Sequence, residues 1–560
     1  MRKLCACLLL SLGAVFPAAG QEPAPAATPP AAAPPAAAPP APGARLEVSA
    51  DPGQRPPAPE PVRGDGKLLL SLDDAVAIAL RQNLSIAVQR LERQRSRYSV
   101  FQNLGIYDLR AEAFARALDR TVPTGSQLEA SAFDQQVANV GVSQLLPTGG
   151  DVSVFWNNDR TGTNNLFQTL NPQFRSEAGF EYNQPLLRDF GRAATEYGLR
   201  LARLDSRVSG AEFERQVATT VRDVETAYWN LVEARQQLVV AEESLGLARE
   251  LHERNRIQVE VGTMAPLEMV QSEAAIALRE EDIIRAGAGV DDAADQLRRL
   301  LNLPAGELWE LPIEPQTPPE SVRVDIDLDQ AIATALAERW ELGQQQLLIQ
   351  RQEIDAGYLA NQTQPDVDLA IRYNYSGLGG DLLERDPITN EPTGRIVPGG
   401  FGDAFEQLTG IDFDTWSATL TFAYPLQNRA ARAQRTSAEL AVQRERAELE
   451  DLRTGIVTEV RTAARAVDTA AKQIEAARAS RVFQERNLDA ERKRYENGMS
   501  TSYRINEIQE DLAEARSREV TAVTTYRRAL ADYYLATGRL LEEKGIDVAD
   551  QEAEVQRFTF

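Results

Sequence analysis

Asp414-Thr-Trp-Ser-Ala-Thr-Leu-Thr-Phe-Ala-Tyr-Pro425 opens the stretch that decides the fold. Trp416, Ala418, Leu420, Phe422 and Tyr424 alternate with Thr415, Ser417, Thr419 and Thr421, the period of two that marks a β-strand with one apolar face. At Pro425 the period changes. A helical pattern then meets no further proline before Asn497-Gly498, roughly 70 residues later, or about 105 Å at 1.5 Å per residue. Leu449, Leu452, Ile456, Val460, Ala463, Val467, Ala470, Ile474 and Ala477 recur along it at steps of three and four, the seam of a coiled coil. The internal Gly455 costs about 1 kcal/mol against alanine, which so long a helix tolerates. After Gly498 a return helix is expected over 501–541.

The same order occurs earlier in the chain. Phe180, Tyr182 and Pro185 precede a helix expected over 191–261, with Val217, Val221, Val224, Tyr228, Leu231, Leu238 and Leu245 as its seam. Gly262 closes that helix, and Pro266 sits in the first turn of its return, where a missing N–H costs little. Upstream, Ser71-Leu-Asp-Asp74 opens Ala75-Val-Ala-Ile-Ala-Leu80, and Asp327-Leu-Asp-Gln330 opens Ala331-Ile-Ala-Thr-Ala-Leu336, each the start of a capped amphipathic helix. The chain is a tandem duplication of helix, strands, long helix, helix, with a first copy over 67–302, a linker over 303–326, a second copy over 327–541 and a tail over 542–560.

Residues 1–20 carry Arg2 and Lys3, an apolar core and Ala18-Ala-Gly20, the pattern of a secretory signal peptide. Cys5 and Cys7, the two cysteines of the chain, lie inside it, so a disulfide framework, a thiolate metal site and a cysteine nucleophile are excluded from the mature chain. The single histidine, His252, reads as a solvated or seam residue of a helix. No cofactor, metal site or enzymatic activity is expected. Residues 21–66 are rich in proline and alanine and read as an extended tether. Net charge is -23, and loss of the leader leaves 58 basic against 83 acidic residues, or -25; nucleic acid is not expected as a partner.

Beyond the leader no apolar run reaches the length of a membrane helix, so a membrane role must come through strands. Val367, Leu369, Ile371, Tyr373 and Tyr375 alternate with polar or small neighbours, and together with 415–424 they make a hairpin around a loop over 376–413. The first copy offers 137–145, a turn at Pro147-Thr-Gly-Gly150, then Val152, Val154 and Trp156, and 178–182, with a weaker run over 107–118. These are near the nine to eleven residues that a tilted transmembrane strand needs. So few strands cannot close a barrel, and an open edge cannot stand in lipid, so several chains must share one barrel. The helices over 72–104 and 266–301 together match the length of 191–261, and 328–361 with 501–541 match the second long helix; two short helices therefore stack end to end beside one long one. The fold class is α+β: a long antiparallel coiled-coil tunnel continuing from a shared β-barrel.

Leu72-Asp-Asp-Ala-Val-Ala-Ile-Ala-Leu80, Gln184-Pro-Leu-Leu-Arg188 with Gly191, Ala227-Tyr-Trp-Asn-Leu-Val232, Val261-Gly-Thr263 with Pro266-Leu-Glu268, and Tyr495-Glu-Asn-Gly498 with Ser500-Thr-Ser502, in this order and duplicated, resemble the TolC family of outer-membrane efflux and secretion channels. The resemblance spans nearly all of 69–541. It implies a homotrimer with an outer-membrane barrel in lipid, a periplasmic helical tunnel, an equatorial collar near 303–326 and after 542, a periplasmic adaptor protein and an inner-membrane transporter. It places adaptor docking at the hairpin tips, Gly262, Thr263, Gly498 and Ser500, and strand-to-helix junctions at Pro185 and Pro425. It also implies a periplasmic gate: Glu268 stands in the place of a gating Asp, Tyr495 matches a gating Tyr, and Glu507 is acidic like an inner selectivity ring. Ser500 replaces a gating Arg, and Arg504 stands where an outer acidic ring is expected. Efflux and protein secretion both fit, and a non-conducting periplasmic coiled-coil scaffold is the alternative. The strong turn at 147–150 predicts four strands in the first copy and two in the second, 18 in a trimer; the other arrangement leaves the first hairpin outside the barrel and the count at 12.

Overall fold

The computed structural model describes residues 46–47, 62–64, 66–125, 129–165, 167–304, 306–320, 322–386 and 392–548. The expected leader, most of the tether and the tail beyond 548 lie outside the described residues.

Helices α1 (Leu72–Gln82), α2 (Leu84–Leu104), α3 (Arg192–Thr195), α4 (Tyr197–Glu260) and α5 (Leu267–Leu301) belong to the first copy, and α6 (Glu307–Glu310) follows it. The second holds α7 (Leu328–Glu338), α8 (Trp340–Asn361), α9 (Phe401–Gly410), α10 (Arg429–Glu496) and α11 (Ser502–Ala536), with α12 (Leu540–Glu543) behind. The long helices α4 and α10 hold 64 and 68 residues, about 96 and 102 Å at 1.5 Å per residue. Their seams are inside as expected: Val217, Val221, Val224, Tyr228 and Leu231 on α4, and Ile456, Val460, Val467, Ala470 and Ile474 on α10, are buried.

Both helices begin later than expected. A turn at Glu196 separates α3 from α4, and Asn428, at φ 41°, breaks the chain between Pro425 and α10.

A second correction concerns the helices expected over 72–104 and 328–361, which are each broken. Asn83 leaves α1 at ψ 129° and caps α2, its side chain accepting from the Ser85 and Ile86 N–H groups at 2.8 and 3.2 Å. Its amide also donates to the Leu300 carbonyl at 2.8 Å, while Asn302 donates to the Gln82 carbonyl at 3.0 Å. Side chains thus satisfy helix-end carbonyls that have no partner within their own helices. In the second copy Arg339, between α7 and α8, donates to the Ala536 carbonyl at 3.1 Å and pairs with Glu459 at 2.8 Å. The breaks fall where two short helices meet end to end beside a long one.

Short strands gird this level. β1 (Leu46–Glu47) pairs in parallel with β12 (Ile546–Asp547), and β2 (Val62–Gly64) with β3 (Lys67–Leu70), which pairs in parallel with β8 (Ile313–Pro315). β1 and β2 fall inside the span expected to be a tether, so residues 46–47 and 62–64 of it are strand. The largest core lies here: Tyr228 and Trp229 are fully buried with Leu68, Leu70, Leu297 and Ile313. The Tyr228 hydroxyl donates to the Leu70 carbonyl at 3.1 Å and accepts from the Thr317 N–H at 3.0 Å, giving a buried aromatic the polar partners it requires.

The large sheet contains β4 (Arg110–Thr121), β5 (Ala132–Leu145), β6 (Asp151–Thr163), β7 (Leu170–Pro185), β9 (Asp366–Arg385), β10 (Pro392–Val397) and β11 (Asp414–Ala423). Neighbours run β4-β5-β6-β7-β9, all antiparallel; β11 pairs with the first half of β9 and β10 with its far end. β5, β6, β7 and β9 outrun their expected limits, β4 starts three residues later than the expected 107 because Gly105–Tyr107 is a helical turn, β11 keeps its expected place, and 376–413 is not the expected loop. It holds the rest of β9, β10 and α9, because glycines at 377, 379 and 380 erase the apolar alternation without ending the strand.

Candidate functional site

The sheet has two unlike faces. Directly opposed residues of antiparallel strands share a side, so register fixes each face. Trp416, Tyr373, Phe180 and Val154 line up across four strands, as do Leu420 with Leu369, and Trp156 with Ala178 and Tyr375. The opposite side carries Thr415, Ser417, Arg372, Glu177 and Glu181, with Arg372 paired to Glu177 at 2.7 Å and to Glu181 at 3.6 Å. Apolar outside and charged inside is the division of a transmembrane barrel strand. Among the described residues nothing pairs with the outer side of β4 or of β11.

The turn at 147–150 lies at the helical end of the sheet. The Gly191 N–H donates to the Thr148 carbonyl at 2.8 Å, and the Gln184 amide donates to it at 3.1 Å. At Gly149, φ is 89° and a Cβ would overlap the Asp189 carbonyl oxygen, so the turn requires glycine there. Pro185 ends β7 at this same level. Pro425 lies between β11 and α10.

At the far end of the long helices the tips of the two hairpins touch. Gly262 and Gly498 adopt φ 80° and 71° and close them; the Thr263 N–H and hydroxyl both donate to the Gln258 carbonyl. Leu251, Leu488, Tyr495, Ile505, Ile508 and Leu512 form a buried cluster that joins α4, α10 and α11. Tyr495 donates to Asn255 Oδ1 at 2.6 Å, and Ser502 donates to Glu268. Glu268 and Tyr495 therefore each tie one hairpin to the other, through different partners. Burial, and then the charge of Glu268, push the Tyr495 phenol up, so it remains a donor at neutral pH. Ion pairs add to the junction: Arg254 with Glu496 at 3.5 Å, Arg492 with Glu250 at 3.7 Å, and Arg516 with Glu243. Arg504 pairs along its own helix with Glu507 at 2.5 Å, and Ser500 donates to Glu491 at 2.5 Å. Arg504 thus offsets the Glu507 charge locally instead of extending an acidic ring.

The sequence motif contains Ser502 without its bond to Glu268, and Asn255 lies outside every motif. Asn255 occupies a seam position four residues beyond Leu251 and is fully buried, and a lone polar residue in a seam is a sequence signal for fixed register. His252 faces α5, its ring nitrogen 2.9 Å from the Ser272 hydroxyl.

Comparison with known proteins places this arrangement. The family described as Outer membrane efflux protein matches residues 151–303 and 331–539. The fold is similar to the CmeC outer membrane channel of Campylobacter jejuni, with a TM-score of 0.61 and 14% identity over 87% of this chain and 88% of that one. It is similar to CusC, with a TM-score of 0.62 and 15% identity over 87% and 98% of the two chains. VceC of Vibrio cholerae gives a TM-score of 0.60 and 13% identity over 83% and 96%. No curated protein matches the chain in sequence. With the family matched over both copies of the repeat, and with two-faced strands leading into helices of the required length, the chain belongs to the outer membrane efflux protein family.

Proposed function

We propose that three copies of this chain form one passive conduit from the periplasm to the exterior, that its six long strands per copy close an 18-stranded barrel, and that the hairpin tips are its gate. The single observation that carries the reading is the pair of unpaired sheet edges. β4 and β11 run in opposite directions, so β11 of one copy can pair with β4 of the next in the antiparallel sense, leaving no edge in lipid. Barrel diameter grows about linearly with strand number, so the membrane pore is wider by roughly half than a 12-stranded one. An efflux channel conducts, so the scaffold alternative loses its support.

The contacts at the tips support a closed state in which each copy latches its own two hairpins through Tyr495, Asn255, Glu268 and Ser502. An adaptor that seats its own coiled coil between the tips, around Gly262, Thr263, Gly498 and Ser500, competes with these bonds and opens the tunnel to cargo handed over by an inner-membrane transporter. The test is assembly and conductance. Detergent-extracted protein from outer membranes runs with three times the protomer mass and forms channels in planar bilayers; a monodisperse soluble monomer refutes the conduit.

A further inference from the structure

α9 and the sheet beneath it point to a lipid site, an inference that rests on the barrel reading above. We propose that α9 is an interfacial helix on the lipid-facing side of the barrel at the outer leaflet, and that the groove beside it seats an acyl chain of an outer-leaflet lipid.

The side follows from register. Gly377 and Gly379 oppose Ser176 and Phe174 and alternate in phase with Tyr373 and Tyr375, so they lie on the apolar face, away from Arg372, Glu177 and Glu181. A Cβ at Gly377 would overlap the Ala404 carbonyl, and one at Gly379 would overlap the Gly400 carbonyl. The helix backbone therefore rests directly on the strand backbone on that face. Gln407 accepts from the Leu378 N–H at 3.0 Å, and Phe405 lies 6.0 Å from Trp156, which is on the same face.

Height follows from strand geometry. Gly377 is ten residues beyond Val367 at the helical end, about 33 Å along the strand and about 25 Å above that end at a tilt near 40°. That is the far rim of an apolar band about 25 Å tall, just above Tyr373, Tyr375 and Trp156. α9 turns Ala404 and Leu408 to the sheet, while Phe401 and Phe405 remain 40% and 42% exposed, and Ile411 and Phe413 beside it 58% each. A short helix with bulky apolar side chains at that level is an interfacial one.

Next to it is a concavity of about 590 Å³, floored by Ala113, Ala115, Ala138 and Val140 between Trp156 and Phe401, its lining turning polar toward the exterior at Asn158 and Gln136. Alanines on the lipid side of β4 and β5 leave the depth that bulky residues fill elsewhere on this face. Arg160, held by Asp134 at 2.7 Å, closes the groove at the exterior end, where a lipid headgroup sits. The occupant is an acyl chain because the groove is continuous with the lipid-facing band.

The mature chain carries no cysteine, so single-cysteine labelling is clean. Phe405→Cys, Ala138→Cys, Leu420→Cys and Ser417→Cys, each carrying a bimane, are reconstituted as the assembled channel in phosphatidylethanolamine and phosphatidylglycerol vesicles that contain chains with a nitroxide near the ester end. The labels at 405 and 138 are expected to lose about half of their fluorescence, as a site within the interface does, with the Leu420 label on the sheet also quenched and the Ser417 label inside the barrel unaffected. Quenching at 420 with none at 405 overturns the interfacial helix. Quenching at 405 and 420 with none at 138 overturns the acyl-chain groove. Absence of quenching at 420 removes the barrel reading itself, and the proposal with it.

Discussion

Replacing Tyr495 by Phe removes one hydroxyl from the junction of the hairpins and leaves the ring in its cluster. Asn255 is fully buried, and among the described residues its Nδ2 has no partner. Without the 2.6 Å bond to Tyr495, its Oδ1 is orphaned as well. Leaving a buried neutral acceptor unpaired costs about 1–3 kcal/mol, so the closed state of each copy weakens by a factor of about 5–150. Conductance of the purified channel in planar bilayers is expected to rise, and cells that hold the variant without a transporter are expected to admit vancomycin. The double variant Tyr495→Phe with Asn255→Leu tests the cause. Replacing both partners by apolar groups is nearly neutral, so it should close again. If Tyr495→Phe conducts like the parent, or if the double variant is as open as the single one, the latch reasoning fails.

Three further outcomes are expected. Thr148→Cys, in the turn tied to Gly191, reacts with reagent supplied from the periplasm; labelling by an impermeant reagent on intact cells rules out six strands per chain. Gly498→Val strains a turn at φ 71° by about 1 kcal/mol or more, with no clash since the space around it is open, and adaptor pull-down weakens; unchanged pull-down and unchanged export count against docking at the tips. Asn83→Ala removes a cap worth about 1 kcal/mol and the bond to the partly buried Leu300 carbonyl, so the assembled channel dissociates at lower temperature on gels, whereas the exposed Arg95→Ala leaves that temperature in place.

Periodicity is a local property, and it made most of the fold legible. Steps of three and four over 449–477, strict alternation over 415–424, and glycines at 262 and 498 are each written within one stretch of chain, so the sequence alone determined the long helices, the strands, the hairpin tips, the duplication and the membership of a channel family. The count of four strands in the first copy was legible for the same reason, from the turn at 147–150. Other features depend on residues hundreds of positions apart. Asn83 breaks a helix because Leu300 and Asn302 arrive beside it, and Arg339 does the same because Ala536 does; neither break leaves a proline or glycine to be read. Resemblance gives Tyr495 as a gate residue, but its bond to Asn255 exists only when two coiled coils dock in one register. α9 was hidden most deeply. Its glycine seat at 377 and 379 looks like loop composition until β7 and β9 pair, and only that pairing assigns it to the lipid-facing side.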